Sequence, residues 1–176
     1  MPGRTPYTAL DAETIIRKLK LAAHPSEGGY FAETYRAEES IPRSALPQRY
    51  GSDKAASTAI YYLLTPGTFS EMHQLKSDEV YHFYAGDPVE MLVLKPDGTS
   101  DVITIGSDLD AGQVPQVVVS RQWWQGSRLK PGGEFALLGT TMAPAFDYED
   151  CERGIRDELV SRYPGCAELI RRLTRG

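Results

Sequence analysis

The chain has 176 residues, of which 41% are hydrophobic and 24% charged, and its formal net charge is −5. This length is typical of a single domain, and the even spread of apolar residues argues against disorder. The longest apolar run, Ala59 to Leu64, is far shorter than the roughly 20 residues that cross a bilayer. Met1–Tyr7 leads into no apolar signal segment. We therefore expect a cytoplasmic protein that binds no membrane, and its dispersed basic residues disfavour nucleic acid.

Histidine and cysteine limit the chemistry further. The chain has only three histidines, His24, His73 and His82, so a metal held by three imidazoles would require all of them. Cys151 and Cys166 lack the spacing of a CxxC or Cys/His metal site. We expect them to be packed free thiols in a reducing compartment.

The first elements are a helix, a turn and a strand. Thr8 to Asp11 fits a capping box, and apolar residues follow at helical spacing, which predicts an N-terminal helix over 8–21. The sequence His24-Pro-Ser-Glu-Gly-Gly ends that helix and predicts a tight turn anchored by the histidine. A strand follows over 30–36. The polar stretch 40–54 has no clear period and is interpreted as a surface loop.

Short strands dominate the centre of the chain. Runs rich in Val, Ile, Leu, Tyr and Phe alternate there with Pro/Gly turns, which is typical of an antiparallel sandwich or barrel over about 30–143. Besides 30–36, the predicted strands are 58–64, 69–75, 79–84, 89–94, 102–105, 116–119 and 135–140. Helices are predicted at about 152–162 and 167–173, which makes a helical segment of about 152–173. We see no linker, so residues 1–176 are interpreted as one domain.

One stretch is more specific than composition. Between Gly67 and Gly86 the spacing of His73, Glu79 and the two glycines resembles the first motif of the cupin superfamily, in which a second histidine would replace Leu75. Because residues two apart on a strand face the same way, we expect Glu71 and His73 to share the inner face with Phe69 and Leu75. Likewise Glu79 and Tyr81 share a face, and His82 lies on the opposite one.

The resemblance extends to a particular group, the Cupin 5 family. It implies a mainly β fold, a double-stranded β-helix (cupin jelly roll) with a short N-terminal helix and C-terminal helices, a homodimer, and no settled activity. The matching stretches occur in order along nearly the whole chain: His24–Arg36, Ser57–Gly67, Lys76–Pro88, Pro115–Val119, Trp124–Gln125 and Pro144–Asp150.

Departures from the cupin pattern weaken the case for a metal. His73 and Glu79 match metal ligands of the superfamily, but Leu75 cannot coordinate and Gln125 stands where the second motif is expected to place a histidine. Transition metals normally take three or four good N, O or S donors, and an amide oxygen is a weak one. We expect no metal cofactor; a divalent metal, if present, would be held by His73, Glu79 and Gln125.

The inner face of the predicted barrel supplies the candidate site. His73 is the candidate general base, Glu79 its orienting partner or an acid, and Tyr81 a candidate proton donor. An inherited polar pair and ordinary aromatic packing are the alternative interpretations. The candidate ligand-binding residues are Glu71, Tyr62, Trp123, Gln125 and Arg36; Trp123 is predicted to point inward and Trp124 outward.

These residues support three hypotheses. The leading one is a metal-independent epimerase or isomerase, similar in fold to dTDP-4-dehydrorhamnose 3,5-epimerase, that acts on a small polar molecule such as a sugar or nucleotide sugar. The second is a cupin that binds a small ligand without chemistry. The third is a metal-dependent cupin lyase or dioxygenase with an incomplete ligand set.

Overall fold

A computed structural model describes residues 11–175 of the chain. Three α-helices occur in this part: α1 (Ala12–Leu19), α2 (Arg156–Arg162) and α3 (Ala167–Arg172). Single 3₁₀ turns lie at Arg43–Ala45, Tyr148–Asp150 and Pro164–Cys166. The strands are β1 (Ala22–Ala23), β2 (Tyr30–Arg36), β3 (Ser40–Ile41), β4 (Lys54–Ala55), β5 (Thr58–Leu64), β6 (Phe69–Leu75), β7 (Glu79–Gly86), β8 (Val89–Leu94), β9 (Ser100–Ile105), β10 (Gln116–Val119), β11 (Trp124–Leu129), β12 (Ala136–Met142) and β13 (Cys151–Arg153).

Two antiparallel sheets form the body of the fold. One has the order β1-β2-β5-β12-β7-β10 and the other β13-β6-β11-β8-β9, while β3 and β4 pair separately. The main apolar cluster draws on strands of both sheets and includes Leu64, Tyr81, Met91 and Leu138. Inward side chains therefore alternate with outward ones, as the period-two pattern predicts. The predicted mainly β jelly roll is confirmed.

The helices cover the outer faces of the sheets. A second apolar cluster packs Met72 and Leu92 of the five-stranded sheet against Leu159 of α2 and Ile170 of α3. A third places Ile15 of α1 against the outer face of the six-stranded sheet. None of the helices in residues 11–175 is long and apolar enough to span a bilayer.

Several predicted boundaries are wrong. Within the described residues the N-terminal helix begins at Ala12, where Asp11 caps it by accepting a 2.7 Å hydrogen bond from the Thr14 amide. Its predicted start, residues 8–10, lies outside the described residues. The C-terminal helical segment begins at Arg156 and not at 152, because Cys151–Arg153 pairs with β6 as an edge strand. Strand β11 was absent from the predicted strands.

The stretch 40–54 is only partly a surface loop. Tyr50 and Lys54 are 1% and 3% exposed. The Tyr50 hydroxyl hydrogen-bonds the Ser77 hydroxyl at 2.7 Å. Lys54 Nζ lies 2.6 Å from Glu149 Oε1 and 2.7 Å from Asp150 Oδ2. The Tyr50 contact fastens the stretch to the turn between β6 and β7, and the Lys54 contacts fasten it to the segment that follows β12, so part of it belongs to the interior.

A β-bulge in β6 changes which side chains face the barrel. Ser127 pairs with Ser70 and Gln125 with His73, so two residues of β6, Glu71 and Met72, stand opposite Gly126. Ser70 and His73 consequently both face inward, whereas Met72 packs outside beneath the helices. The expectation that Phe69, Glu71 and His73 share one face is wrong for this reason.

We predict that Lys54→Met destabilises the fold by about 3 kcal/mol, because it leaves the buried Asp150 carboxylate without its nearer cation. Urea denaturation followed by tryptophan fluorescence measures the change. Arg172→Met removes an exposed ion pair with Glu168 and is the control, with an expected loss of roughly 0.5 kcal/mol. Equal losses in the two variants would contradict a structural role for the Lys54 pair.

Candidate functional site

A cavity of about 530 Å³ opens at one end of the barrel. Its wall combines apolar and aromatic side chains with carboxylates. The lining residues are His24, Glu27, Phe31, Glu33, Arg36, Thr58, Ile60, Leu75, Glu79, Thr140, Met142, Phe146, Asp147 and Tyr148. A cavity of this size accommodates a small organic molecule.

The turn between β1 and β2 places Glu27 over the barrel end. Gly28 and Gly29 both have positive φ, at 92° and 71°. A side chain on Gly28 would collide with the Phe69 carbonyl oxygen, and one on Gly29 would come within 2.8 Å of the Tyr62 hydroxyl. Because glycine alone permits this close approach, the Glu27 side chain reaches residues of β6. The Glu71 amide also donates to the Glu27 carbonyl oxygen at 2.7 Å.

Glu27 lies between two imidazoles. Its Oε2 is 3.8 Å from His73 Nε2, and its Oε1 is 4.0 Å from His24 Nε2. The other ring nitrogens are held by the backbone: His73 Nδ1 is 2.7 Å from the Glu71 carbonyl oxygen, and His24 Nδ1 accepts from the Glu27 amide at 2.9 Å. The turn-anchoring role predicted for His24 is confirmed, and the same ring lines the cavity.

Glu79 completes the group from β7. Its Oε2 accepts a 2.8 Å hydrogen bond from Gln125 Nε2, and it also interacts with the hydroxyls of Thr140 and Tyr81. The side chain is 7% exposed. The Glu79 carboxylate therefore contacts several hydrogen-bond donors inside the barrel, and the same side chain also lines the cavity.

Burial and mutual charge shift the pKa values of this group. Burial disfavours the charged His73 ring, but the Glu27 and Glu79 carboxylates outweigh it and raise the His73 pKa above its ordinary value. Burial raises the pKa of Glu79, with His73 opposing it, and raises that of Tyr81 still more. Burial lowers the pKa of His24 despite the nearby Glu27. Such opposed shifts in one cleft are typical of sites that handle protons.

The donors around His73 do not fit a cupin metal site. Leu75 lines the cavity where a second histidine would stand, and the Gln125 amide N–H donates to Glu79, which leaves Gln125 only its weakly ligating amide oxygen. Within residues 11–175, no group of three or more His, Cys, Asp or Glu side chains has a geometry that could hold a metal ion. The His73, Glu79 and Gln125 set considered from the sequence thus lacks the donors that a transition metal prefers.

Four of the five predicted ligand-binding residues do not line the cavity: Glu71, Tyr62, Trp123 and Gln125. The Glu71 carboxylate is bound by Arg153 and accepts from the Arg175 amide at 3.0 Å, on the outer side of the bulge. The Tyr62 hydroxyl donates a hydrogen bond to the Gly28 carbonyl oxygen at 2.9 Å. Trp123 packs inward, as predicted, but against the main core and 5.1 Å from Lys95 Nζ. Gln125 is buried behind the wall, where its amide group donates a hydrogen bond to Glu79.

Arg36 is at the cavity mouth. Its guanidinium makes two hydrogen bonds with Glu33, at 3.0 and 2.8 Å, and a third with the Phe146 carbonyl oxygen at 3.3 Å. His82 lies outside, next to Thr141 at 3.2 Å and stacked on Tyr84. The predicted separation of His82 from Glu79 is therefore confirmed.

The sequence interpretation missed Glu27, the inward role of His24 and the wall formed by Phe146 and Tyr148. A signal existed for the first two, because the His24-Pro-Ser-Glu-Gly-Gly stretch carries the resemblance and contains a lone carboxylate before paired glycines. It was interpreted only as a turn. Cys151, expected as a packed thiol, is a free half-buried cysteine whose Sγ lies 3.7 Å from Glu27 Oε1.

Comparison with known proteins agrees with this architecture. The family model Cupin 5, described as "Cupin superfamily (DUF985)", matches residues 13–153. An uncharacterized protein of Saccharomyces cerevisiae, YML079W, is 31% identical over 147 residues, which cover 78% of this chain and 72% of the yeast protein.

Solved structures give the same result. Protein SO0799 from Shewanella oneidensis superposes with a TM-score of 0.83 at 30% identity, covering 94% of this chain and 98% of that one. A hypothetical protein from Leishmania major has a TM-score of 0.83 at 28% identity, covering 95% and 100%. A cupin 2 domain-containing protein from Halorhodospira halophila, at 12% identity and a TM-score of 0.55 with 88% of both chains covered, shares the fold alone.

We predict that Gln125→Leu destabilises the protein by about 2 kcal/mol near pH 8, because the buried Glu79 carboxylate loses a donor. The Glu79 pKa is raised in the folded protein, so the loss should shrink as falling pH protonates that carboxyl group. Urea denaturation at about pH 5 and pH 8 tests both points. Gln74→Leu, which removes an exposed bond to Glu152, is the control; the same cost in both variants would contradict the prediction.

Proposed function

The chain belongs to the Cupin 5 family, and we propose that it binds a small organic molecule in the cavity beside Glu27 and Glu79 and exchanges a proton with it without a metal. The cavity supports the proposal: Glu27 and Glu79 are among the residues that line about 530 Å³ of space, and the buried His73 imidazole lies behind them. Burying such groups is costly, and structures normally retain them where they are paired or used.

The contacts suggest a division of roles. Glu79 lines the cavity and burial raises its pKa, which suits a carboxyl group that must both bind and release a proton. Glu27 is the second candidate acid or base. His73 lies behind both carboxylates at 1% exposure, so we assign it a positioning role in place of the direct base expected from the sequence.

Tyr81 supports Glu79. Its side chain is 2% exposed and is in the core cluster, and burial and the neighbouring carboxylate raise its pKa. A neutral phenol of this kind donates a hydrogen bond to Glu79. We therefore propose that Tyr81 acts through Glu79, not on the ligand.

Two carboxyl groups on one cavity suit removal and return of a proton on a carbon beside a carbonyl group. That step is common to isomerases and epimerases, so it is the chemistry we propose for this site. A shared fold does not by itself carry an activity, and the proposal depends on the carboxylates alone.

We retain the homodimer as a proposal. Tyr35, Tyr84 and Val118 are 55%, 49% and 56% exposed on the outer face of the six-stranded sheet. Such apolar side chains on one face suit an isologous contact with a second copy.

Proton exchange tests the proposed chemistry. In deuterium oxide, we expect the protein to accelerate exchange into dihydroxyacetone or D-fructose. Glu79→Gln should lower the rate by about 100-fold or more, because it removes the proton-transfer group. NMR loss of the carbon-bound proton signal measures the rate. His82→Gln, outside the barrel, should leave it unchanged. Binding of these probes without exchange would identify a non-catalytic binder, and exchange that survives Glu79→Gln would contradict the assigned role.

Metal content tests the metal-free element of the proposal. We expect protein purified without chelator to carry less than about 0.1 transition metal per chain, because the donor set is incomplete. The double variant Leu75→His with Gln125→His restores the two missing imidazoles and should acquire near-stoichiometric Zn or Mn. Elemental analysis of the unaltered chain and of the double variant measures the metal content of each. Near-stoichiometric metal in the unaltered chain would contradict the proposal.

A further inference from the structure

The cavity has an excess of negative charge. Its wall contains four acidic residues: Glu27, Glu33, Glu79 and Asp147. Among the described lining residues, Arg36 is the only one that carries a positive charge at every ordinary pH. Arg36 is already bound to Glu33 through two hydrogen bonds. A ligand therefore meets carboxylates whose charge the wall itself does not neutralise.

The remaining cations near the cavity are shared. Lys54 Nζ lies 3.5 Å from Asp147 but only 2.6 and 2.7 Å from Glu149 and Asp150. Behind the cavity wall, the one His73 ring lies near both Glu27 and Glu79, and its Nε2 is 3.8 Å from Glu27, which is beyond hydrogen-bond distance. One imidazole thus faces two carboxylates.

Aromatic rings surround the same space. The His24 and Phe31 centroids are 4.6 Å apart, those of His24 and Tyr148 6.2 Å, and those of Phe146 and Tyr148 5.0 Å with an edge-to-face angle of 83°. The face of an aromatic ring carries negative potential and attracts cations. Both the aromatic rings and the carboxylates therefore favour a positively charged ligand.

We propose that the cavity binds a small organic cation, an ammonium group on a short apolar skeleton, with the ammonium between the Glu27 and Glu79 carboxylates and the skeleton against the aromatic wall. This rests on the proposed function, since it names the ligand class of the same cavity. An anion such as the diphosphate of a nucleotide sugar would meet like charges instead.

A neutral sugar is the main competitor, because hydroxyl groups also bind carboxylates. Glu27 and Glu79 are largely withdrawn from water, with side-chain exposure of 12% and residue exposure of 7%. In such surroundings an opposite charge gains more than a neutral hydroxyl group does. The ratio of the affinities for a cation and for an isosteric neutral molecule therefore distinguishes a cation site from a sugar site.

Calorimetric titration with benzylammonium, benzyl alcohol, benzoate and D-glucose tests the inference. We expect benzylammonium to bind at least about tenfold more tightly than either neutral probe, and benzoate to bind least, because the charge is the main difference among the benzyl probes. Glu27→Gln and Glu79→Gln should each reduce the preference for benzylammonium over benzyl alcohol by about tenfold. Glu90→Gln, whose carboxylate pairs with Arg128 away from the cavity, is the matched control and should preserve it.

Ile60→Trp, which fills the cavity wall, should abolish benzylammonium binding and so locate the site. The inference is overturned if a neutral probe or benzoate binds as tightly as benzylammonium, if no probe binds, or if both glutamine variants keep the full preference. Binding of a neutral probe that Ile60→Trp abolishes, without a preference for the cation, would overturn the ligand class and still support small-molecule binding in the cavity.

Discussion

Two carboxylates and one imidazole are buried together at the end of this barrel, and the surrounding structure depends on keeping them there. Glu27 reaches His73 because two glycines let a turn lie against β5 and β6. Glu79 stays in place because Gln125, Thr140 and Tyr81 surround its carboxylate. Since an isolated buried charge is very costly, each member of the group makes the burial of the others tolerable.

The same arrangement explains why the superfamily's metal chemistry does not fit this chain. A metal-binding cupin directs imidazoles and a carboxylate at one point. Here Leu75 removes one donor, and Gln125 turns its amide nitrogen to Glu79. Glu27, from a turn outside the cupin motif, contributes a carboxylate in their place. The result is a group of two carboxylates and one imidazole with an acidic cavity in front of it, which differs from a cupin metal centre in its donor atoms.

Much of the fold was predictable from local patterns. Strands with a clear apolar period, such as 58–64 and 69–75, were correct to the residue. Strand β11 was missed because Gln125, Gly126 and Ser127 break its apolar pattern, although all three are buried. Strand β13 was interpreted as helix because its pairing with β6 is a long-range contact that composition does not reveal.

The candidate site was predictable only in part, for similar reasons. His73, Glu79 and Gln125 came from strand spacing, and the structure brings them together. Glu71 was misplaced because a bulge, set by the pairing with β11, reverses the side-chain alternation of β6. Glu27 was missed because it lies 46 residues before His73 in the chain and its role depends on where a turn packs.

The pKa of His73 tests the central claim, that Glu27 and Glu79 favour the protonated form of the buried His73 imidazole behind the cavity. Nitrogen NMR of the three histidines across a pH titration, with signals assigned by single substitutions, measures it directly. The account predicts that the His73 pKa lies above its ordinary value of 6.5, that the His24 pKa lies below it, and that Glu27→Gln lowers both because one carboxylate raises both. A His73 pKa below 6.5, or one that Glu27→Gln leaves unchanged, would contradict the account.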